Sequence, residues 1–282
     1  MSEALDAAGA TGTPELSQRM VTGRASQGAF FAVSALLFAA GAGVTIARCR
    51  AMSAMGGMPM PGGWTMSMAW LRMPGQTWPG AAAAFLGGWV VMMVAMMLPS
   101  LVPMLRRYRR AVASAGEARL GGLTAIAAAG YFAVWAGFGM AAFPLGAALA
   151  AVEMQQPALA HGVPLAVGVL VLLAGTFQLS AWKAHQLACC REEPGRGRAL
   201  PADAGTAWRH GLRLGLHCTG CSGGLMAILL GLGVMDLRAM AAVAAAITAE
   251  RIAPAGERVV RAIGAVVVAA GLLLITRAAG LA

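Results

Sequence analysis

Five cysteines and four histidines are the side chains here best suited to hold a soft metal or exchange electrons, and most of them fall in two short stretches. His217-Cys218-Thr219-Gly220-Cys221 sets an imidazole and two thiols at the mouth of an apolar run, Gly223 to Met235. His185-Gln186-Leu187-Ala188-Cys189-Cys190 supplies a second imidazole and two more thiols. Neither group is needed for packing, and both reward soft metals or redox partners. A third sulfur-rich stretch is Met92-Met93-Val94-Ala95-Met96-Met97-Leu98-Pro99, in which Met93, Met96 and Met97 share one helical face beside the donor that Pro99 removes. Plain core packing is the other use of such a stripe.

The candidate metal ligands are therefore Cys218, Cys221, Cys190, His217, Cys189, His185, Met93, Met96 and Met97. Thiolates with thioethers suit Cu(I), whereas Zn(II) more readily takes Cys with His, so the expected ion is a transition metal with Cu(I) ahead of Zn(II). Two other readings compete. Cys218 and Cys221 form a Cys-x-x-Cys pair that could cycle between dithiol and disulfide, as in a membrane thiol-disulfide oxidoreductase. A structural membrane subunit would use the same thiols only as buried packing. The polar loop 191–209 carries no phosphate-cradling glycines, no Ser/His/Asp set and no His-Glu-x-x-His, so the reading leans away from an enzyme.

The elements that must position these residues are apolar. With 59% hydrophobic and 11% charged residues, 282 residues have too few charges to cover a soluble globule. The expected fold is all-α, a polytopic transmembrane helical bundle of about seven spans with a cytoplasmic N-terminus, partnered by the lipid bilayer. The net charge of +10 comes from arginines clustered between apolar runs, a positive-inside pattern that argues against nucleic acid. Residues 1–27 are polar and read as a disordered tail, and 28–282 as the integral membrane helical domain. The first span centres on Phe30 to Ala47, ahead of a Met-rich external loop over 48–79 whose thioethers could collect Cu(I) or lie at the lipid interface.

Further spans are expected at about 80–104, 122–150, 163–183, 211–234, a short sixth to Ala249, and 262–282. Arg106 to Arg110, the cytoplasmic loop 191–209, and Arg251 to Arg261 then fall on one side. If the fourth span continues as one helix, Gln178, His185 and Cys189 share one face while Lys183, Gln186 and Cys190 share another. On the fifth, His210, His217 and Cys221 line one stripe with Cys218 on its flank. The loop joining these two spans would bring their cysteines together. Cys49 stands alone on the opposite side. The sequence offers no acidic cluster at membrane depth, which argues against a pump with carboxylate relays.

Taken together, Trp89-x-x-Met92-x-x-Ala95-Met96-Met97-x-Pro99, Gln178 with Lys183 and Cys190-Arg191, Gly215-x-x-Cys218-x-Gly220-Cys221, Leu225-Met226 and Gly233-Val234-Met235 resemble a bacterial family of predicted metal-binding integral membrane proteins. The resemblance covers roughly residues 80–255 and implies metal binding in the bacterial cytoplasmic (inner) membrane, with a metal chaperone or another membrane subunit as partner. Where that family usually carries a further cysteine on the fourth span, this chain has Gln186. Where it usually has Cys-Trp after the second cysteine of the fifth, this chain has Ser222-Gly223. Those departures remove two thiols, which leaves either a site modified by His185, Cys189 and His217 or a weakened one.

Overall fold

The computed structural model describes residues 12–113, 116–192, 200–253 and 256–280. Its helices are α1 (Gly12–Ala54), α2 (Trp78–Ala111), α3 (Glu117–Gln155), α4 (Pro157–Gln178), α5 (Ala181–Glu192), α6 (Ala204–Leu232), α7 (Leu237–Ile252) and α8 (Gly256–Ala278), with a small hairpin, β1 (Met58–Met60) and β2 (Trp64–Met66), between α1 and α2. Among the described residues the fold is all-α apart from that hairpin. Six helices, α1 to α4, α6 and α8, are long and apolar enough to cross a membrane. The expected sixth span is α7, whose 16 residues leave it outside that group. Its start is set by Asp236, whose side chain accepts from the backbone N–H groups of Arg238 and Ala239 at 2.8 and 2.9 Å.

Helix α1 begins well inside the stretch expected as a disordered tail. Pro14 near its start, followed by Glu15, Leu16, Gln18 and Arg19, is a helix-initiating sequence despite its polarity. Residues 1–11 of the tail lie outside the described residues, as do 193–199 of the polar loop. The Met-rich loop is in part ordered as the hairpin, with Met58 opposite Met66 and Met60 opposite Trp64. The Trp64 indole donates to the Ala160 carbonyl at 2.9 Å and anchors the hairpin to α4.

The fourth span does not continue as one helix. The N–H groups of Leu179 and Ser180 turn back to Thr176 and Phe177 at 3.0 Å each, closing the last turn of α4 tightly. The Ser180 hydroxyl then accepts from Lys183 N at 3.2 Å and starts α5 afresh. A serine in that position competes for backbone hydrogen bonds and so divides an otherwise helical run. The fifth span begins earlier than its apolar run, at Asp203, which caps α6 by accepting from Thr206 N at 2.8 Å. The Thr206 bonds hold that exposed carboxyl below the usual carboxylate range. Leu200 N donates to Ala111 O at 3.2 Å and ties the returning chain to the end of α2.

Small residues let these helices approach closely, as membrane-type packing requires. On α8, a Cβ at Gly271 would stand 2.6 Å from the Leu172 backbone nitrogen of α4. On α6, a Cβ at Gly211 would collide with the Ala127 carbonyl of α3, and one at Gly215 would lie 2.9 Å from the Val134 side chain. The α3–α6 contact is therefore a backbone-to-backbone one. It sets the depth at which α6 presents its cysteines.

Candidate functional site

Three thiols converge where α5, α6 and α7 meet. Cys218 and Cys221 lie one turn apart on the buried face of α6, and both are essentially inaccessible to solvent. Cys190, near the end of α5, is buried too, with its sulfur 3.8 Å from that of Cys221. Two sulfurs bound to one ion through bonds of about 2.3 Å stand roughly 3.8 Å apart at a tetrahedral angle, so this pair already has the spacing of two ligands of one metal.

The centre of the thiol cluster is taken by a side chain that the sequence reading placed in a cytoplasmic charge cluster. Arg251, at the end of α7, is buried, and its Nη2 donates to the Cys218 sulfur at 2.7 Å, the Cys221 sulfur at 3.2 Å and the Ser222 hydroxyl at 3.1 Å. Its Nη1 donates to the Ser100 hydroxyl of α2 at 3.2 Å. The Tyr131 hydroxyl of α3 meets the Cys218 sulfur at 2.9 Å from the other side. Among the described residues no group of three or more His, Cys, Asp or Glu side chains is arranged to hold a metal ion as it stands. The sulfurs gather around a guanidinium instead.

A second buried cluster lies alongside. Lys183 Nζ pairs with Glu250 Oε2 at 2.7 Å, Gln178 donates its amide to Glu250 Oε1 at 2.7 Å, and the Lys183 ammonium also meets the Gln178 carbonyl oxygen. Glu250 is thus an acidic residue inside the bundle that an acidic-cluster search passes over, because it is neutralised by a lysine 67 positions away. Burial without such a partner would be prohibitive. The ion pair fastens the start of α5 to the end of α7 and thereby fixes Cys190 relative to Arg251.

The remaining candidates take other places. His185 and Cys189 meet each other at 3.8 Å on the exposed side of α5. His217 Nδ1 lies 2.8 Å from the Gln186 amide oxygen, so Gln186 faces α6 beside this imidazole. The α4–α5 break takes Gln178 off the face expected for it, since it meets Lys183 and Glu250, while within α5 His185 stays with Cys189 and Lys183 and Cys190 are buried. His210 is stacked on Tyr108 with ring centroids 4.9 Å apart. Met93, Met96 and Met97 are buried on α2, and the step from that stripe to the thiols runs through Ser100, which donates to Met97 O at 2.9 Å and accepts from Arg251.

Arg251, Glu250, Tyr131, Ser100 and Ser222 are the residues that sequence reasoning missed. The available signal was the Glu250-Arg251 pair itself: two opposite charges directly after the apolar run 239–249. Read as loop charges they mark a membrane border, whereas in the fold each finds a buried partner.

No curated protein and no solved structure matches the chain. A family described as PpoB2, copper chaperone, matches residues 86–274, from the first part of α2 through most of α8 and across every residue of both buried clusters. The chain belongs to this copper chaperone family.

Proposed function

We propose that the chain is an integral protein of the bacterial inner membrane that binds Cu(I) through Cys190, Cys218 and Cys221 and passes it to or from a partner. The observation that carries this reading is the 3.8 Å approach of Cys190 to Cys221, one turn from Cys218, in a buried cluster. An all-sulfur set suits Cu(I) ahead of Zn(II), and the imidazoles His217 and His185 are engaged with Gln186 and Cys189. When bound, the ion would be cargo held by soft ligands. Tyr131 and Ser222 bond the sulfurs and hold them in place, while the Lys183–Glu250 pair keeps α5 against α7. A metal chaperone or another membrane subunit is the expected partner for delivery.

The test is metal analysis of the protein purified under reducing conditions, against the Cys218→Ser/Cys221→Ser double variant. Copper near one equivalent that disappears in the variant supports the reading. A stable disulfide among Cys190, Cys218 and Cys221 in freshly isolated membranes, with no copper retained, would favour thiol-disulfide exchange instead. Orientation is tested with reporters fused after Arg110, expected to read cytoplasmic, and after Gln156, expected to read external.

A further inference from the structure

Arg251 carries a charge that does not titrate under any ordinary condition, and it bonds two of the three sulfurs directly. We infer that Arg251 determines which ions the thiol cluster accepts, favouring a monovalent soft ion over a divalent one. The inference rests on the copper-binding reading and adds a specificity-determining residue to it.

The argument is Coulombic. Any ion held by Cys218 and Cys221 sits within a few ångströms of the guanidinium, because both sulfurs are in contact with the same Nη2. Repulsion between that fixed positive charge and the ion doubles from a monovalent to a divalent ion, and in a buried site little solvent screens it. Metal-bound cysteines are thiolates, and they are the same thiolates whichever ion they hold, so the repulsion from the guanidinium is what separates a monovalent from a divalent ion. The other hydrogen bonds of Arg251 go to the hydroxyls of Ser100 and Ser222. Glu250, the adjacent residue, bonds Lys183 and Gln178.

The experiment compares Cu(I) and Zn(II) on the 282-residue protein in detergent, each competed against a chelator of known affinity, and reads the ratio of the two apparent affinities. Arg251→Gln should lower the Cu(I)-to-Zn(II) ratio by at least roughly tenfold, the scale expected when one buried unit charge near the ion is removed. Arg251→Lys, which keeps the charge but loses the forked geometry, should stay within about threefold of the wild type, because charge and not shape sets the preference. Ser100→Asp places a carboxylate against Nη1 and should lower the ratio as Arg251→Gln does, with the arginine still present. This last variant, with Arg251→Lys, decides the matter even where Arg251→Gln does not fold. An unchanged ratio in Ser100→Asp, or a ratio in Arg251→Lys as low as in a folded Arg251→Gln, overturns the inference while leaving copper binding intact. Retention of neither ion in a cysteine-dependent way by the wild type overturns both.

Discussion

Cys190 and Cys221 are 31 residues apart in the chain, and their sulfurs are 3.8 Å apart in the fold. Helices α5 and α6 meet at these two sulfurs, so a ligand set that no single helix carries is assembled from two. Cys190→Ser should therefore weaken Cu(I) retention nearly as much as Cys221→Ser, by at least about tenfold each, given that soft-metal affinity depends on sulfur ligands. In a double-mutant cycle the combined loss should fall well short of the sum, because removing either sulfur already breaks the shared site. Cys49→Ser, whose side chain lies among Thr45, Arg48, Phe85 and Trp89, should leave retention unchanged. Chelator competition on each variant reads all four outcomes.

Lys183 and Glu250 are both buried and bonded to each other at 2.7 Å. Removing one partner leaves the other charge uncompensated, at a cost on the order of 3–5 kcal/mol, whereas replacing both by apolar residues of similar volume costs much less. Glu250→Gln and Lys183→Met should each lower the thermal midpoint in detergent strongly, and Lys183→Met/Glu250→Leu should recover most of it. Equal midpoints in the wild type and Glu250→Gln would mean that the pair does not hold α5 to α7.

The helices were legible in the sequence because apolar runs bounded by arginines and prolines are a strong signal, and the same signal carried the sulfur-rich face of α6. The α4–α5 break was not, since Ser180 is one polar residue in a run whose composition stays helical, and its capping bond exists only once the turn has closed. Arg251 illustrates a deeper limit. An arginine after an apolar run is normally a border residue, and only the tertiary arrangement shows two thiols, a serine and α2 waiting for its guanidinium. Pairing across helices decides which charges are buried, and pairing is what a single chain of letters does not display.

Gly211 and Gly223 lie on the same helix, α6, in opposite circumstances. A Cβ on Gly211 would collide with the Ala127 carbonyl of α3, while one on Gly223 would meet nothing within 4 Å. Gly211→Ala should push α3 away from α6, carrying Tyr131 from Cys218, and so reduce both the thermal midpoint and copper retention. Gly223→Ala should be neutral or slightly stabilising, since alanine is the better helix former by about 1 kcal/mol. Matched thermal and copper measurements on the two variants separate backbone approach from mere loss of a glycine.

Met93, Met96 and Met97 are buried along α2, and the end of their stripe reaches the thiol cluster by way of Met97 O, Ser100 and Arg251. That route orients the guanidinium without requiring a thioether at the metal. Methionine and leucine fill nearly the same volume, and exchanging one for the other in a core usually costs less than about 1.5 kcal/mol. The triple variant Met93→Leu/Met96→Leu/Met97→Leu should therefore fold, with Cu(I) retention within about twofold of the wild type, because leucine preserves the packing that holds Ser100 in place. If these sulfurs belong to the ligand set, the same variant would fold equally well and yet lose copper by tenfold or more, since leucine offers no donor to a soft ion. X-ray absorption at the copper edge, compared between the wild type and this variant, counts the sulfur neighbours of the ion and separates a packed stripe from ligands beyond the three cysteines.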